Sequence, residues 1–421
     1  INLTHIIILV GIFQESSSTF NYNNNNTDVI QNYQNDTYIF FVLLYKAVAH
    51  HSNANFVMSL HSVWITLAAV AEGSDQETQQ QLFELLRLPN DPYKRQKYYD
   101  IMTSRVAPDY GVSLVETRTL FADENIQINP AWLNLVSRHS LLNVITAPIQ
   151  NDPTFTINWI RRHTTSNKHR IDLSGNSILL DTIDYNGLWA TAFEDAIIET
   201  SPFYNQEGEE IGAVDLMRIK RKAKLGYVEN LKAKVLEIPV GSGSRYSMLF
   251  VMILEKLDIK SVIEKIRIDI ISEMFNSIKD TGVPIDIAIP RFKITSEIDM
   301  REILNDMGVT NLWTNPAATK HISTPPAFPS SYVQRATLTL NKYGLVHPPV
   351  EVIPSSEARS EIHPNLTPDF IANQPVLFGL FDSETYTPLV AVGISQPTTS
   401  KIFDPMEKIM VLLPKSMSIT T

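Results

Sequence analysis

The sequence VQRATLTLNKYG at residues 333–344, LVHPPVEVIPSSEARSEIHPNLTPDFIA at 345–372 and NQPVLFGLF at 373–381 decides the fold. Residues 336–340 alternate threonine with apolar side chains, which predicts a β-strand, and residues 375–381 predict a second one. The segment between them is rich in proline. Loops of this length are uncommon in compact domains and are usually functional or disordered. The sequence therefore predicts two strands joined by a long exposed loop.

One basic residue stands near the middle of this loop. Arg359 is followed by the small Ser360 and preceded by SSEA at residues 355–358. A positive charge on a long unbranched arm suits the carboxylate-based specificity pocket of a trypsin-like protease. We interpret Arg359–Ser360 as a candidate scissile bond, with an incidental surface arginine as the alternative.

The composition limits the class of protein. The chain has 421 residues, of which 44% are hydrophobic, and this is enough for a sizeable core. Its formal net charge of −10 argues against a nucleic-acid-binding protein, which would carry a basic face. Because the sequence contains no cysteine, it excludes disulfides, thiolate catalysis and cysteine-ligated metals.

The sequence carries no enzyme signature. His50, His51 and His61 have no carboxylate at metal-ligand spacing, so surface or core histidines are expected. GSGS at residues 241–244 lacks the G-x-S-x-G spacing of a nucleophile elbow. We therefore expect no catalytic residues, no metal and no cofactor.

The first residues predict secretion. IIILVGIF at residues 6–13 has the length of the apolar part of a signal peptide and is too short to span a bilayer. We assign residues 1–20 to a signal peptide whose charged start is absent, as in a truncated sequence, since the chain opens with Ile1. A buried strand is the alternative.

An asparagine-rich segment follows at residues 21–35. Its low apolar content predicts a disordered lead-in outside the fold. It contains glycosylation sequons at Asn25 and Asn35, and a third begins at Asn365 in the long loop, where Pro368 weakens it. The sequence thus predicts a secreted, extracellular glycoprotein.

Residues 36–398 predict one continuous domain, and residues 399–421 form a tail to which we assign no role. Helical periodicity, strand alternation and capping residues indicate its elements. The predicted elements are helices at 38–49 and after Ser74 or Asp75, a strand running into a helix at 55–73, strands at 112–121 and 179–189, a helix opened by Asn129 and Pro130, a hairpin at 235–251, and an alternating strand at 283–294 followed by a helix at 298–307 capped by Thr295, Ser296 and Glu297.

The order and spacing of these motifs resemble those of the serpin family between residues 36 and 397. Leu60 departs from the pattern, because proline is usual there. The matching residues are Asn55, Ser59, Ser62, Gly73, Thr78 and Leu82 in the first motif, Ile157, Asn158, Trp159 and Ile160 in the second, Trp189 and Phe193 in the third, Pro290, Arg291, Phe292, Met300, Leu304, Met307 and Gly308 in the fourth, and Phe370, Ala372, Pro375 and Phe378 after the loop.

The resemblance implies an α/β fold of the α+β serpin type. It has one large mixed sheet of about five strands, two smaller sheets, eight or nine helices and an exposed reactive-centre loop. An inhibitory serpin inserts this loop, once cleaved, as a new central strand of the large sheet and carries the acylated protease with it. A non-inhibitory carrier of a ligand and a substrate-like scaffold are the alternatives.

The resemblance also places a hinge at the start of the loop. The hinge residues are Lys342, Gly344, Leu345, Val346, His347, Pro348 and Pro349. The family usually has glutamate in place of Lys342, and that glutamate could pair with Arg291, whereas Lys342 and Arg291 would repel each other. Small residues usually follow the glycine. Proline has no N–H for a strand ladder. We therefore predict that this chain traps proteases inefficiently.

Further positions are expected to control insertion. Ser59, Ser62, Asp181 and Gln334 would form a polar cluster beneath the sheet, with Asp181 in place of the usual asparagine and Gln334 in place of the usual histidine. Trp189 would lie near the top of the sheet, where the hinge enters.

The predicted partner is a trypsin-like serine protease, and the protein is expected to be a monomer. The basic run MRIKRKAK at residues 217–224 matches a strand edge and turn of the family, so we favour a solvated, edge-protecting face over polyanion binding. Neither nucleic acid nor a membrane span is expected.

Overall fold

The structure is a computed structural model. It describes residues 24–52, 55–104, 112–164, 171–187, 189, 196–241, 245–255, 258–340, 369–382 and 387–397. Ten α-helices and eighteen β-strands lie in this part of the chain. The helices are α1 (Asn24–His51), α2 (Leu60–Ala71), α3 (Gln76–Leu86), α4 (Pro92–Thr103), α5 (Pro130–Arg138), α6 (Pro153–Thr164), α7 (Ile259–Lys265), α8 (Ile268–Ser277), α9 (Met300–Asp306) and α10 (Asn311–Thr314).

The strands confirm most of the predicted elements. They include the two strands that flank the long loop and the predicted hairpin. The strands are β1 (Phe56–Met58), β2 (Val112–Asp123), β3 (Gln127–Ile128), β4 (Asn143–Ala147), β5 (Ser177–Gly187), β6 (Ile197–Tyr204), β7 (Glu210–Arg221), β8 (Lys224–Val228), β9 (Ala233–Val240), β10 (Tyr246–Ile253), β11 (Lys279–Asp280), β12 (Ile285–Pro290), β13 (Phe292–Asp299), β14 (Ser323–Thr324), β15 (Pro329–Leu340), β16 (Phe370–Ile371), β17 (Val376–Asp382) and β18 (Thr387–Ile394).

A mixed sheet of five strands, called the central sheet below, confirms the expected architecture. Its strand order is β13-β15-β5-β2-β4. The β15–β5 and β2–β4 contacts are parallel, whereas the β13–β15 and β2–β5 contacts are antiparallel. A second sheet has the order β1-β18-β17-β10-β9-β8-β11, and a third has the order β16-β12-β7-β6. The second sheet has seven strands, two more than the central sheet, and the short β1 and β11 form its edges.

Three apolar clusters hold these layers together. The largest surrounds α2, in which all twelve residues are buried, and joins it to α1, α3 and α4. The second lies between the seven- and four-stranded sheets and includes residues of β5 and β15. In the third, Ile160 of α6 packs with Phe121, Ile178 and Leu180 of the central sheet. The predicted helix over the front of the sheet is thus confirmed.

The expectation of a disordered segment at residues 21–35 was wrong from residue 24 onward, where α1 begins. Tyr33 is fully buried, donates its hydroxyl to the Met102 sulfur at 3.2 Å and packs edge-on against Tyr98 at 5.2 Å between ring centroids. The asparagines made the segment look too polar to fold. One buried aromatic contact on the helix face was enough to outweigh that composition.

The predicted cap at Thr295, Ser296 and Glu297 was also wrong. These residues continue β13 through full pairing with β15, and α9 begins only at Met300. Asp299 is the true cap, because its carboxylate accepts a hydrogen bond from the Arg301 N–H at 2.9 Å. At the other uncertain cap, Asp75 rather than Ser74 opens α3.

The described helices give no transmembrane candidate, because none combines the length and apolar character needed to cross a bilayer.

Candidate functional site

The direct pairing of β5 with β15 forms the centre of the candidate site. Ten residue pairs connect the strands in parallel, from Pro329 with Ser177 to Thr339 with Asn186. We call this contact the β5–β15 junction. A chain that reverses direction after β15 would run antiparallel to both strands if it entered here. The junction is therefore the place where a cleaved loop would become a new strand.

The start of α2 lies beneath the junction. Ser59 caps this helix by accepting the Ser62 N–H at 3.0 Å. The Gln334 side chain of β15 accepts the Ser59 N–H at 2.9 Å and donates to the Ser59 carbonyl at 2.8 Å. Gln334 thus satisfies both backbone groups of the cap residue and fixes β15 to α2.

Asp181 of β5 is the second attachment to α2. Its carboxylate accepts hydrogen bonds from the hydroxyl groups of Ser62 at 2.9 Å, Thr66 at 2.8 Å and Tyr332 at 2.8 Å. The side chain is completely buried. Burial raises the pKa of Asp181 to about 7, although the three hydroxyl donors act in the opposite direction.

Two members of this cluster, Thr66 and Tyr332, were not predicted from the sequence. Each lies on the same face of its helix or strand as a residue that was predicted. Thr66 follows Ser62 by one helical turn, and Tyr332 precedes Gln334 by two positions of a strand. Helix and strand periodicity could have identified both.

A buried charged group lies next to this cluster. Glu116 of β2, whose side chain is 2% exposed, accepts hydrogen bonds from Ser59 at 3.0 Å and Arg118 at 2.9 Å. His61 places Nδ1 at 3.2 Å from the same carboxylate and Nε2 at 2.8 Å from the Met102 carbonyl. Burial raises the pKa of Glu116, but His61, Arg118 and Ser59 outweigh it and hold the pKa below its usual value.

No sequence pattern predicted this buried charged group. His61 was read as a surface or core histidine, and the structure buries it completely. Glu116 and Arg118 alternate on β2 as in many half-exposed strands, so only the tertiary structure reveals that they face α2. Among the described residues, no group of three or more histidine, aspartate and glutamate side chains is arranged to hold a metal ion.

The remaining predicted positions lie near the upper end of the junction. Trp189 is 1% exposed, pairs with Val240 and lies 6.4 Å from the Phe250 ring centroid. Arg291 donates from its guanidinium to the Asp215 carboxylate at 3.2 Å, and its N–H bonds the Asp215 carbonyl. Asp215 therefore offsets part of the charge that was expected to repel Lys342.

Several predicted site residues lie outside the described part of the chain. These are Lys342, Gly344, Leu345, Val346, His347, Pro348, Pro349, Arg359, Ser360 and Asn365. Of the other sequon asparagines, Asn25 lies in the first turn of α1 and Asn35 farther along the same helix.

An apolar cavity lies between α1 and the seven-stranded sheet. Its lining includes Tyr45, Leu249, Met274, Leu377 and Phe378, and its volume is about 80 Å³. Sites for drug-sized ligands usually measure about 300–1,000 Å³. In its present shape the cavity therefore does not accommodate a cargo of that size.

Comparison with known proteins agrees with this arrangement. The family model described as Serpin (serine protease inhibitor) matches residues 36–397. The chain belongs to the serpin family. An uncharacterized serpin-like protein from Methanosarcina mazei is 24% identical over 352 residues, which cover 79% of this chain and 80% of the relative. Serine protease inhibitor 2 of Anopheles gambiae is 22% identical over 386 residues, which cover 86% of this serpin and 91% of the relative.

A solved structure supports the fold. The mouse protein-Z dependent protease inhibitor aligns with a TM-score of 0.75 at 18% identity, and the alignment covers 88% of this serpin and 98% of the mouse chain. At this identity the likeness concerns the fold alone.

Replacing Glu116 by glutamine should lower the free energy of unfolding by about 3 kcal/mol, because Arg118 would lose its buried counter-charge. Chemical denaturation at pH 7 measures the change. Because the pKa of Glu116 is lowered on folding, its stabilising contribution is present above pH 4.5 and lost as the pH falls further. The exposed Glu84→Gln is the control, and a loss equal to that of the control would contradict the assignment.

Proposed function

We propose that this serpin presents the Arg359–Ser360 bond to a trypsin-like serine protease and is cut there mainly as a substrate. Family membership supports a role built on a protease-inhibitor fold. The observation that carries the substrate-like part is the pair of hinge prolines, Pro348 and Pro349, which would have to enter the β5–β15 junction. An inserted strand has to replace the ten residue pairs of the junction with hydrogen bonds to both neighbours.

The two hinge prolines oppose this replacement. In an antiparallel strand successive N–H groups point to opposite neighbours. Pro348 and Pro349 would therefore leave one acceptor on β5 and one on β15 without a donor. Two buried acceptors without partners cost about 2–6 kcal/mol together. If half of this is felt in the transition state, insertion slows by about 5- to 150-fold.

The length of the loop also matters. Nineteen residues lead from Leu340 to Arg359, whereas the junction offers ten residue pairs. If roughly four residues reverse the chain, about five remain, which span roughly 17 Å when extended. A protease acylated at Arg359 would then be attached to the far end of the sheet through these uninserted residues, which would hold it loosely.

The rate of insertion determines whether the acyl-enzyme is trapped or hydrolysed. The protease is trapped only if the loop enters before water hydrolyses the ester bond. A delay therefore releases active protease and cleaved serpin. The charge of Lys342 contributes less to this delay than the sequence suggested, because Arg291 is already paired with Asp215.

An efficient inhibitor is the second candidate. Efficient inhibition is favoured by the direct pairing of β5 with β15, because the site between these strands is then available to an inserted strand. The names of the Anopheles gambiae and mouse relatives, which describe protease inhibitors, point the same way. The carrier alternative has weaker support, because the apolar cavity is small.

We further propose that the protein is secreted and glycosylated. The apolar run at residues 6–13 and the three sequons support this. Asn35 is the least favourable acceptor, because the hydroxyl group of Thr37 in its sequon is buried against the Tyr33 carbonyl at 2.8 Å.

Trypsin should cleave the serpin in its loop and remain active, with little covalent complex on a denaturing gel. The double variant Pro348→Ala, Pro349→Ala should increase the trapped fraction severalfold, because alanine restores both N–H donors. Pro364→Ala, beyond the scissile bond, is the control. Stoichiometric complex with the unaltered serpin would refute the substrate-like proposal, and an unchanged trapped fraction in the double variant would exclude the prolines as its cause.

Arg359→Ala should abolish cleavage after residue 359, because alanine cannot reach the carboxylate of the trypsin-like pocket. Mass spectrometry of the fragments identifies the bond. The exposed Arg267→Ala is the matched control and should leave cleavage unchanged. Persistent cutting at the same bond would show that the protease reads another residue.

Expression in a eukaryotic secretory host should yield protein whose gel mobility increases after treatment with an N-glycosidase. Asn25→Gln and Asn365→Gln should each reduce the shift, and Asn35→Gln should have the smallest effect. Retention in the cells without any shift would contradict the proposal.

A further inference from the structure

One side-chain hydrogen bond crosses the β5–β15 junction at a group that can change its charge. The Tyr332 hydroxyl of β15 donates to Asp181 Oδ2 of β5 at 2.8 Å. Both side chains are completely buried. Separation of the two strands has to break this bond, so the state of the Asp181 carboxyl group bears directly on the junction.

The same carboxyl group is fixed to the helix beneath. Ser62 and Thr66 of α2 donate to its two oxygens. Gln334 anchors the other strand to Ser59 at the start of the same helix. Asp181 is thus the one residue of the predicted cluster that bonds both to α2 and, across the junction, to β15.

The charges around Asp181 are already engaged elsewhere. Arg118 and Glu116 face it from β2, His61 from α2, and Tyr332 from β15. Arg118 donates to Glu116 and to the carbonyls of Leu141 and Ser140, while His61 also lies against Glu116. Within the described residues, Asp181 has three hydroxyl donors and no ion pair.

A carboxylate without a counter-ion is costly in a dry interior, and hydroxyl groups compensate only in part. A neutral carboxyl group suits the same site, because each hydroxyl can accept as well as donate. Separation of β5 from β15 would admit water, which solvates the charged form and relieves this cost.

We propose that Asp181 is a proton-operated latch, whose neutral carboxylic acid holds β5 and β15 together and whose carboxylate favours their separation. The direction of the effect follows from the complete burial of Asp181 among hydroxyl groups, with which its raised pKa agrees. Its stabilising contribution is fully present below the ordinary value of 3.8 and is lost as the pH rises through about 7. The junction should therefore be tightest in weak acid and looser at neutral to alkaline pH.

The latch concerns the intact protein and requires no protease. Its consequence rests on the proposed function: after cleavage, the loop would enter the sheet faster at pH 8 than at pH 5.5. Glu116 titrates below pH 4.5 because its pKa is lowered, so its effect falls outside this window.

Hydrogen–deuterium exchange of the uncleaved full-length protein tests the latch. Protection factors of the β5 and β15 amides are compared at pH 5.5 and 8.5 after correction for the intrinsic pH dependence of exchange. We expect protection to fall by about tenfold to 30-fold in the unaltered protein. Asp181→Asn, which stays uncharged, should remove this pH dependence. Asp123→Asn, at a buried aspartate of β2 that accepts backbone N–H groups, should retain it.

Tyr332→Phe provides a second test if Asp181→Asn fails to fold. Loss of this donor raises the pKa of Asp181 further, so the midpoint of the change in protection should move to higher pH. Protection that is independent of pH in the unaltered protein, equal pH dependence in Asp181→Asn, or an unmoved midpoint in Tyr332→Phe would each overturn the latch. A protein that traps proteases efficiently would refute the proposed function and leave these exchange results intact.

Discussion

The parallel pairing of β5 with β15 is the contact on which the rest of the structure depends. β13 is antiparallel to β15 and β2 is antiparallel to β5, so the parallel contact at the middle of the central sheet is flanked by an antiparallel contact on each side. An antiparallel strand placed there would replace one parallel ladder with two antiparallel ones, which are slightly more stable per residue. The central sheet would therefore gain hydrogen bonds if a strand were inserted at this contact. The features that oppose insertion lie in the hinge and beneath the junction.

The two carboxyl groups buried beneath the sheet, those of Glu116 and Asp181, have different partners. Glu116 has a cationic partner in Arg118 and further hydrogen-bonding partners in His61 and Ser59, and its pKa falls. Asp181, on the adjacent strand β5, has only hydroxyl donors among the described residues, and its pKa rises. Two carboxyl groups on one face of one sheet thus differ in charge over a wide range of pH. Their different surroundings, rather than their shared burial, decide this difference.

The sequence predicted what depends on local pattern and spacing. Alternation located β15 and β17, the motif order gave the five-stranded sheet, and the resemblance brought Ser59, Ser62, Asp181 and Gln334 to one cluster. It could not reveal Glu116 or His61, because their roles arise only when β2 packs over α2. It also misjudged α1 and α9. In both cases a long-range contact, Tyr33 against α4 and β13 against β15, overruled local composition and capping signals.

Met102, near the end of α4, contacts two different regions of the structure. Its sulfur accepts the Tyr33 hydroxyl of α1, and its carbonyl lies 2.8 Å from His61 Nε2. Local unfolding of this turn would therefore release the N-terminal helix and the buried charges together. We therefore expect α1 and the base of the central sheet to exchange their amide hydrogens as one cooperative unit, although about seventy residues of sequence separate Tyr33 from Met102.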